Sequence, residues 1–225
     1  MGFLLYYQYI VLFVLSLMLI NLVINSFVFK NVENYSLTGK ALKNPPLISI
    51  LIPARNEAEN ISICLKSLLK QDYPNLEIIV LNDNSTDGTS KVVKVIAEKD
   101  NRVRLLEGAP LKDGWTGKNF ASHQLSKHAE GEYFIFTDAD TLHFPKTISS
   151  AFAALIATKV DALSIYPRQI IVTFAERMAV PIINIALQCF IPFILIKKSK
   201  SPLFSTAIGQ FMMFRREAYE KIGGY

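Results

Sequence analysis

Two aspartates, Asp138 and Asp140, stand one residue apart where an apolar run ends in FIFTDADTLHFP, residues 134–145. On a strand, side chains two apart point the same way. Two carboxylates on one side of a strand end can approach a single divalent cation, and hard oxygen ligands beside a phosphate suit Mg²⁺ or Mn²⁺. Such a cation would neutralise a diphosphate leaving group. Three readings of the pair stand open: metal ligands, a nucleophile toward phosphate, or a solvated turn. His143, three residues beyond Asp140, is either a further metal ligand or a polar residue at a helix start.

Other chemistry-bearing residues also follow apolar runs. Asp83 ends LEIIVLN and opens DNSTDGT, where its carboxylate can accept hydrogen bonds from a base or ribose, or cap the next helix. Asp87 reads as a turn or cap residue. Arg55, just past LISILIP, can reach a phosphate, and helix capping alone would account for Asn56 and Glu57. The stretch GWTGKNFA, residues 114–121, joins glycines to the only tryptophan and to Lys118. Its glycines allow close backbone approach, and a lysine at a helix start can meet phosphate. It lacks P-loop spacing. Trp115 is either a sugar or acceptor platform or a hydrophobic plug. His123 and His128 need no special role.

The elements that must position these residues alternate. Apolar runs at 47–53, 76–82 and 132–137, with a more polar one at 102–107, read as strands. Between them, residues 56–71, 90–99 and 117–131 carry helical patterns, the last stopped by Gly131. Strand–helix alternation from 47 to 137 predicts a mostly parallel α/β sheet with helices on both faces. Ligands of such sheets bind beyond the carboxyl ends of the strands, so PARNE, NDNSTD and TDADT should converge on one crevice. A helix after Pro145, a strand near 160–167 and a final strand–helix pair ending in Gly-Gly complete the pattern.

Residues 3–29 carry no charge, which exceeds the ~20 residues a helix needs to span a bilayer. Without a basic start or a small-residue cleavage site, the segment reads as a retained anchor. Lys30, Lys40 and Lys43 follow it and place the rest of the chain on the cytoplasmic side of the cell membrane. Residues 178–196 form a second apolar segment, interrupted by Pro181 and Pro192 and flanked by Arg177, Lys197, Lys198 and Lys200. A second span, a helix lying in the membrane interface or wall for a hydrophobic acceptor, and a buried helix compete for it. The expected organisation is an anchor at 1–30, a linker at 31–46 and a catalytic domain at 47–225 with a membrane-associated segment at 178–196. The chain is 51% hydrophobic with a net charge of +5, and no Arg-rich face or aromatic–basic block speaks for nucleic acid. Its two cysteines match no metal or disulfide spacing, and no G-x-G-x-x-G follows the first strand, which argues against a nicotinamide dehydrogenase.

In order and spacing, ISILIPARNEAENI, EIIVLNDNSTDGT and FTDADT resemble the inverting family-2 glycosyltransferases of GT-A fold. GWTGKN, the proline-broken segment and GQFMMFRREAYEKIGGY are most similar to the membrane members associated with carotenoid or hopanoid synthesis. The resemblance implies a UDP-linked sugar donor, a lipid or polyisoprenoid acceptor, and displacement with inversion at the anomeric carbon. It places Pro53, Arg55, Glu57 and Asp83 on the nucleotide, Lys118 and Asp138 near the ribose, sugar or diphosphate, and Asp140 on the metal. It also implies an acidic general base about a dozen residues past the Gly-Gly-aromatic segment, beyond Tyr225. On that basis the 225-residue chain is expected to bind donor and metal but to transfer sugar poorly. Two further readings stand beside it: a haloacid-dehalogenase-type phosphatase, whose D-x-D-x-T pattern FTDADT also fits, and a membrane-anchored nucleotide-binding or assembly module.

Overall fold

The computed structural model describes residues 2–37, 44–199 and 201–224. Gly39, Lys40, Lys43, Lys200 and Tyr225 lie outside the described residues. The chain divides into two compact units, one of Met1–Asn31 with Arg168–Thr206, the other of Val32–Pro167 with Ala207–Tyr225.

The larger unit is built on six strands: β1 (Ile48–Ala54), β2 (Leu76–Asn82), β3 (Val103–Glu107), β4 (Tyr133–Thr137), β5 (Ala162–Ser164) and β6 (Phe211–Arg215). Their order is β3-β2-β1-β4-β6-β5. β1 pairs in parallel with β2 and β4, β2 with β3 likewise, and β6 runs antiparallel to both its neighbours. The helices of this unit are α2 (Ile61–Leu68), α3 (Thr89–Ala97), α4 (Gly117–His128), α5 (Thr147–Thr158) and, near the end of the chain, Arg216–Lys221.

Both faces of the sheet are covered, which is why its central strands read as unbroken apolar runs. Side chains alternate between two cores. Ile48, Ile50 and Ile52 of β1, Ile78 and Val80 of β2, and Tyr133 and Ile135 of β4 join a larger core with Cys64, Leu65, Val93 and Phe152 of α2, α3 and α5. Leu51, Ile79, Leu81, Phe134 and Phe136 join a smaller core with Ala121 and Leu125 of α4 and Tyr219 of the last helix. Val32 and Leu37, at the start of the expected linker, pack against the larger core.

The smaller unit holds α1 (Gly2–Val28), α6 (Phe174–Phe190) and α7 (Phe193–Lys198). α1 is long and apolar enough to cross a membrane by length and composition. α6 opens with a capping box: Thr173 Oγ1 accepts from the Glu176 amide while the Glu176 carboxylate accepts from the Thr173 amide. It includes Pro181 and ends before Pro192, whose missing N–H and fixed ring favour a break there. The remaining helix of the larger unit, Arg216–Lys221, is α8.

Candidate active site

The pleat decides which strand-end residues can meet. In β1 the odd-numbered Leu51 faces the α4 side, in β2 Ile79 and Leu81 do, and in β4 the even-numbered Phe134 and Phe136 do. Continued past the strand ends, the same alternation carries Pro53, Arg55, Asp83 and Asp138 to the α4 side. It survives one residue further, because Ala139 is buried in the larger core on the opposite face. Asp138 and Asp140 therefore flank a buried residue, Asp138 partly covered and Asp140 exposed.

The first two loops are knitted together. Asn56 and Asn84 each sit two residues past a strand with positive φ (57° and 53°), a conformation asparagine tolerates. The Asn56 amide donates to Ser85 Oγ and its side-chain oxygen accepts from the Thr86 amide. Thr89 Oγ1 accepts from the Glu57 amide, while Asp87 accepts from the Ala58 amide and from both the amide and hydroxyl of Thr89. The Thr89 hydroxyl bond comes first in holding the Asp87 carboxyl below its usual range. Asp87 is thus a clip between loops. Glu57 accepts from Asn60 Nδ2 at 2.9 Å. Arg55 is 66% exposed on its side chain and reaches within 4.0 Å of Asp83.

α4 delivers the cation. A Cβ on Gly117 would lie 3.5 Å from Asp83 Oδ2, so the helix start runs past that carboxylate. The next residue, Lys118, places Nζ 2.6 Å from Asp138 Oδ1. A Cβ on Gly209 would stand 3.5 Å from the same Nζ, which puts the approach to β6 beside it too. Trp115 packs against α4 at a tilt, its ring centroid 4.9 Å from that of His123 and 5.6 Å from that of Phe120. That packing gives His123 a partner its helical position did not foretell.

Beneath the carboxylates lies a buried polar layer. The Cys64 thiol approaches the Asp138 carbonyl at 3.8 Å. Burial pushes it up to about 12, against the lowering effect of a hydrogen bond to Thr141; the charges of Asp140, Asp138 and Glu57 add to the rise. One thiol thus feels all three carboxylates. His143 is buried, with Nε2 2.9 Å from Thr141 Oγ1 and 3.3 Å from Thr137 Oγ1, and burial depresses it to about 4. The Thr137 hydroxyl also donates to the Gln210 carbonyl. Ser67 of α2 and Gln71 just past its end fasten the following loop, through the His143 amide, the Phe144 carbonyl and the Ile148 amide.

Asp83, Lys118 and Asp138 therefore gather along one side of the carboxyl edge of a parallel sheet, with Asp140 exposed in the turn just beyond. Residues 49–223 match the model of Glycosyl transferase family 2. The chain belongs to that family.

Similar curated proteins are glycosyltransferases by name. "Probable glycosyltransferase YdaM" of Bacillus subtilis (strain 168) is 29% identical over 187 residues, 82% of this chain and 44% of its own length. The Escherichia coli UDP-Glc:alpha-D-GlcNAc-diphosphoundecaprenol beta-1,3-glucosyltransferase WfgD is 30% identical over 114 residues, 51% of this chain and 43% of its own length. The chain spans less than half the length of either relative. Among solved structures, mannosyltransferase PcManGT from Pyrobaculum calidifontis, in complex with GDP-Man and Mn²⁺, superposes with a TM-score of 0.65 at 25% identity, over 94% of this chain and 56% of that one. S. aureus TarS 1-349 with UDP, at 21% identity over 79% of this chain and 49% of that one, shares the fold with a TM-score of 0.55. The architecture is the GT-A α/β fold of family 2, and the phosphatase reading of D-x-D-x-T gives way to it.

Two residues that build the site escaped sequence reasoning. Gly108 donates its amide to the Asn82 carbonyl at 2.9 Å, and a Cβ there would come within 2.9 Å of Leu81 Cδ2 and 3.0 Å of the Asn82 carbonyl oxygen, so a larger residue would force Leu81 to shift. Cys64 drew attention only for matching no metal or disulfide spacing. The signal for Gly108 was its place directly after β3; nothing local marked the thiol.

Proposed function

We propose that the chain carries the donor site of a metal-dependent, inverting family-2 glycosyltransferase that passes sugar from a UDP-linked donor to a lipid or polyisoprenoid acceptor at a membrane. The observation that carries this reading is the placement of Asp83, Lys118 and Asp138 on one side of the sheet edge, with Asp140 just beyond.

In this reading Asp83 accepts hydrogen bonds from the base or ribose, with Pro53, Arg55 and Glu57 shaping the loop around it. Lys118 exchanges its Asp138 partner for phosphate oxygens. Asp138 faces the ribose or sugar, and Trp115, packed against α4, offers an aromatic platform to the acceptor. The donor set fits a divalent cation of the Mg²⁺ or Mn²⁺ kind: two carboxylates with a buried residue between them present hard oxygens. Among the described residues no group of three or more His, Cys, Asp or Glu side chains gathers to hold a metal, as suits an ion that takes further ligands from donor phosphates. When bound, the cation would neutralise charge on the leaving diphosphate. Asp140 is its ligand here. His143, occupied by two threonine hydroxyls, holds the turn instead.

PcManGT, with its GDP-Man and Mn²⁺, supports a nucleotide-sugar and a metal; WfgD, by its name, supports UDP and a diphosphoundecaprenol-linked acceptor. The apolar α1 supports a membrane anchor, and Lys30 beyond it supports a cytoplasmic site. The narrower kinship with carotenoid- or hopanoid-associated enzymes rests on the motif likeness alone. Calorimetry with UDP and Mn²⁺ tests the assignment. Asp140→Ala should weaken Mn²⁺-dependent UDP binding by about tenfold or more, the scale of a lost charged contact. Equal affinity in wild type and variant would remove Asp140 from the site.

A further inference from the structure

α1 is apolar, yet Asn25 in its last turns is fully buried, and Asn21 one turn earlier is half-buried. Both amides are spent on the place where α6 stops. Asn25 Nδ2 donates to the Gln188 and Ile191 carbonyls, each at 2.7 Å, and its Oδ1 accepts from the Phe193 amide at 3.2 Å. Asn21 Nδ2 donates to the Gln188 and Cys189 carbonyls at 3.1 and 2.9 Å. The last carbonyls of a helix and the first amides of the next have no partners within their own helix, and Pro192 makes such a gap between α6 and α7. In water these groups would be hydrated. Supplying them from the side chains of an apolar helix is what a chain needs where water is scarce. Phe29 and Phe193 close the same joint edge to face, with centroids 4.8 Å apart.

Outside this contact, Phe174, Met178, Ile182 and Ile185 recur at helical spacing along α6 and are 79%, 58%, 64% and 53% exposed. Arg168 and Lys198 flank them, Arg177 lies in the first turn of α6 beside Glu176, and Lys30 follows α1; all four basic residues are exposed. At 1.5 Å per residue, Asn25 and Asn21 lie about 5 and 10 Å from the α1 end at Val28. That is the depth at which an interfacial helix rests below the headgroups, roughly 5–10 Å.

We propose that α6 and α7 form a lipid-contacting, re-entrant hairpin, clamped to α1 by Asn21 and Asn25 and seated at the headgroup–acyl boundary of a phospholipid bilayer with anionic headgroups. The basic flanks select that occupant. This rests on α1 being a membrane anchor, and the test separates the two. The full chain with Cys189→Ser is labelled with NBD at Ile182→Cys or at Ile10→Cys and reconstituted in phosphatidylcholine–phosphatidylglycerol vesicles. Spin-labelled lipids of shallow and deep position, and aqueous iodide, serve as quenchers.

The Ile182 site should be quenched by shallow lipid and shielded from iodide, the Ile10 site by deep lipid. Asn25→Ala, or the milder Asn21→Ala, should expose the Ile182 site, lowering its docked-to-undocked ratio roughly three- to tenfold, with the Ile10 site unmoved. Unchanged Trp115 fluorescence reports that the larger unit stays folded. Iodide quenching at Ile182 with a shielded Ile10 overturns the hairpin and keeps the anchor; quenching at both overturns the anchor. Shielding at Ile182 that vanishes when protein is diluted among the vesicles shows a second copy on this face and overturns the lipid assignment. No response to either asparagine change refutes the clamp.

Discussion

Lys118 Nζ and Asp138 Oδ1 meet at 2.6 Å, joining the first turn of α4 to the turn that follows β4. Neither side chain is deeply buried, so the pair is weak as a stabilising element. Its value is position: it holds an ammonium group beside the D-x-D turn and within one residue of Gly117, which touches the Asp83 carboxylate's surroundings.

If Lys118 serves the diphosphate, its loss should be felt only by ligands that carry phosphate. Lys118→Met is expected to weaken UDP binding by roughly tenfold, the scale of a charged hydrogen bond, and to leave uridine binding as it was. Calorimetry with both ligands decides. A parallel drop for uridine would mean that the lysine shapes the loop rather than the phosphate site.

Asp83 should behave in the opposite way. Removing its carboxylate in Asp83→Ala is expected to weaken UDP and uridine by the same factor, about tenfold, because the contact lies on the nucleoside. A loss confined to UDP would move Asp83 to the metal or phosphate.

Gly131 lies far from this chemistry, yet it is among the least replaceable residues. A Cβ there would sit 2.5 Å from Ser49 Oγ, 2.7 Å from Ser49 N and 2.8 Å from Leu47 O, and its amide donates to Ser49 Oγ. Backbone cannot yield as a side chain can. Gly131→Ala should destabilise the fold by about 1–3 kcal/mol, read as a lower urea midpoint with an unchanged slope. An unchanged midpoint would show that the β1–β4 junction relaxes freely.

His143 sets an acid limit. Burial holds it neutral, down from its usual 6.5 to about 4. Between those values the unfolded chain binds a proton that the folded one refuses, so stability is full above about 6.5 and falls as pH drops toward 4. The loss is on the order of 3 kcal/mol at about 1.4 kcal/mol per unit. His143→Gln should flatten the stability profile over that window relative to wild type. Equal slopes would show that the imidazole titrates freely in the fold.

Much of this was legible beforehand because both faces of the sheet are covered. Unbroken apolar runs mark the strands, and the polar residues that end them mark the ligand edge. What local pattern could not show was where backbone groups would be spent across the chain. The helical pattern begins at Asn56, yet α2 starts at Ile61: Asn56 takes a positive φ, and the loop it opens is tied to Ser85, Thr89 and Asp87 through the amides of Asn56, Glu57 and Ala58. Gly131 looks like a helix stop, but α4 ends at His128 and the glycine is needed by Ser49. Residues 178–196 offered a span, an interfacial helix or a buried one. The helix starts earlier, at Phe174, on a capping box, and breaks at a joint whose partners lie some 165 residues away in sequence.

Ala139 has a consequence for how the D-x-D turn can vary. Its methyl group is anchored in the larger core, so the turn after β4 is pinned between its two aspartates, as a hinge is by its pin. A single residue inserted after Thr137 would move Asp138 away from Lys118, or pull Ala139 out of the core that seats it. The motif can change in its loops on either side, but its internal spacing is tied to the one residue that seats it in the core.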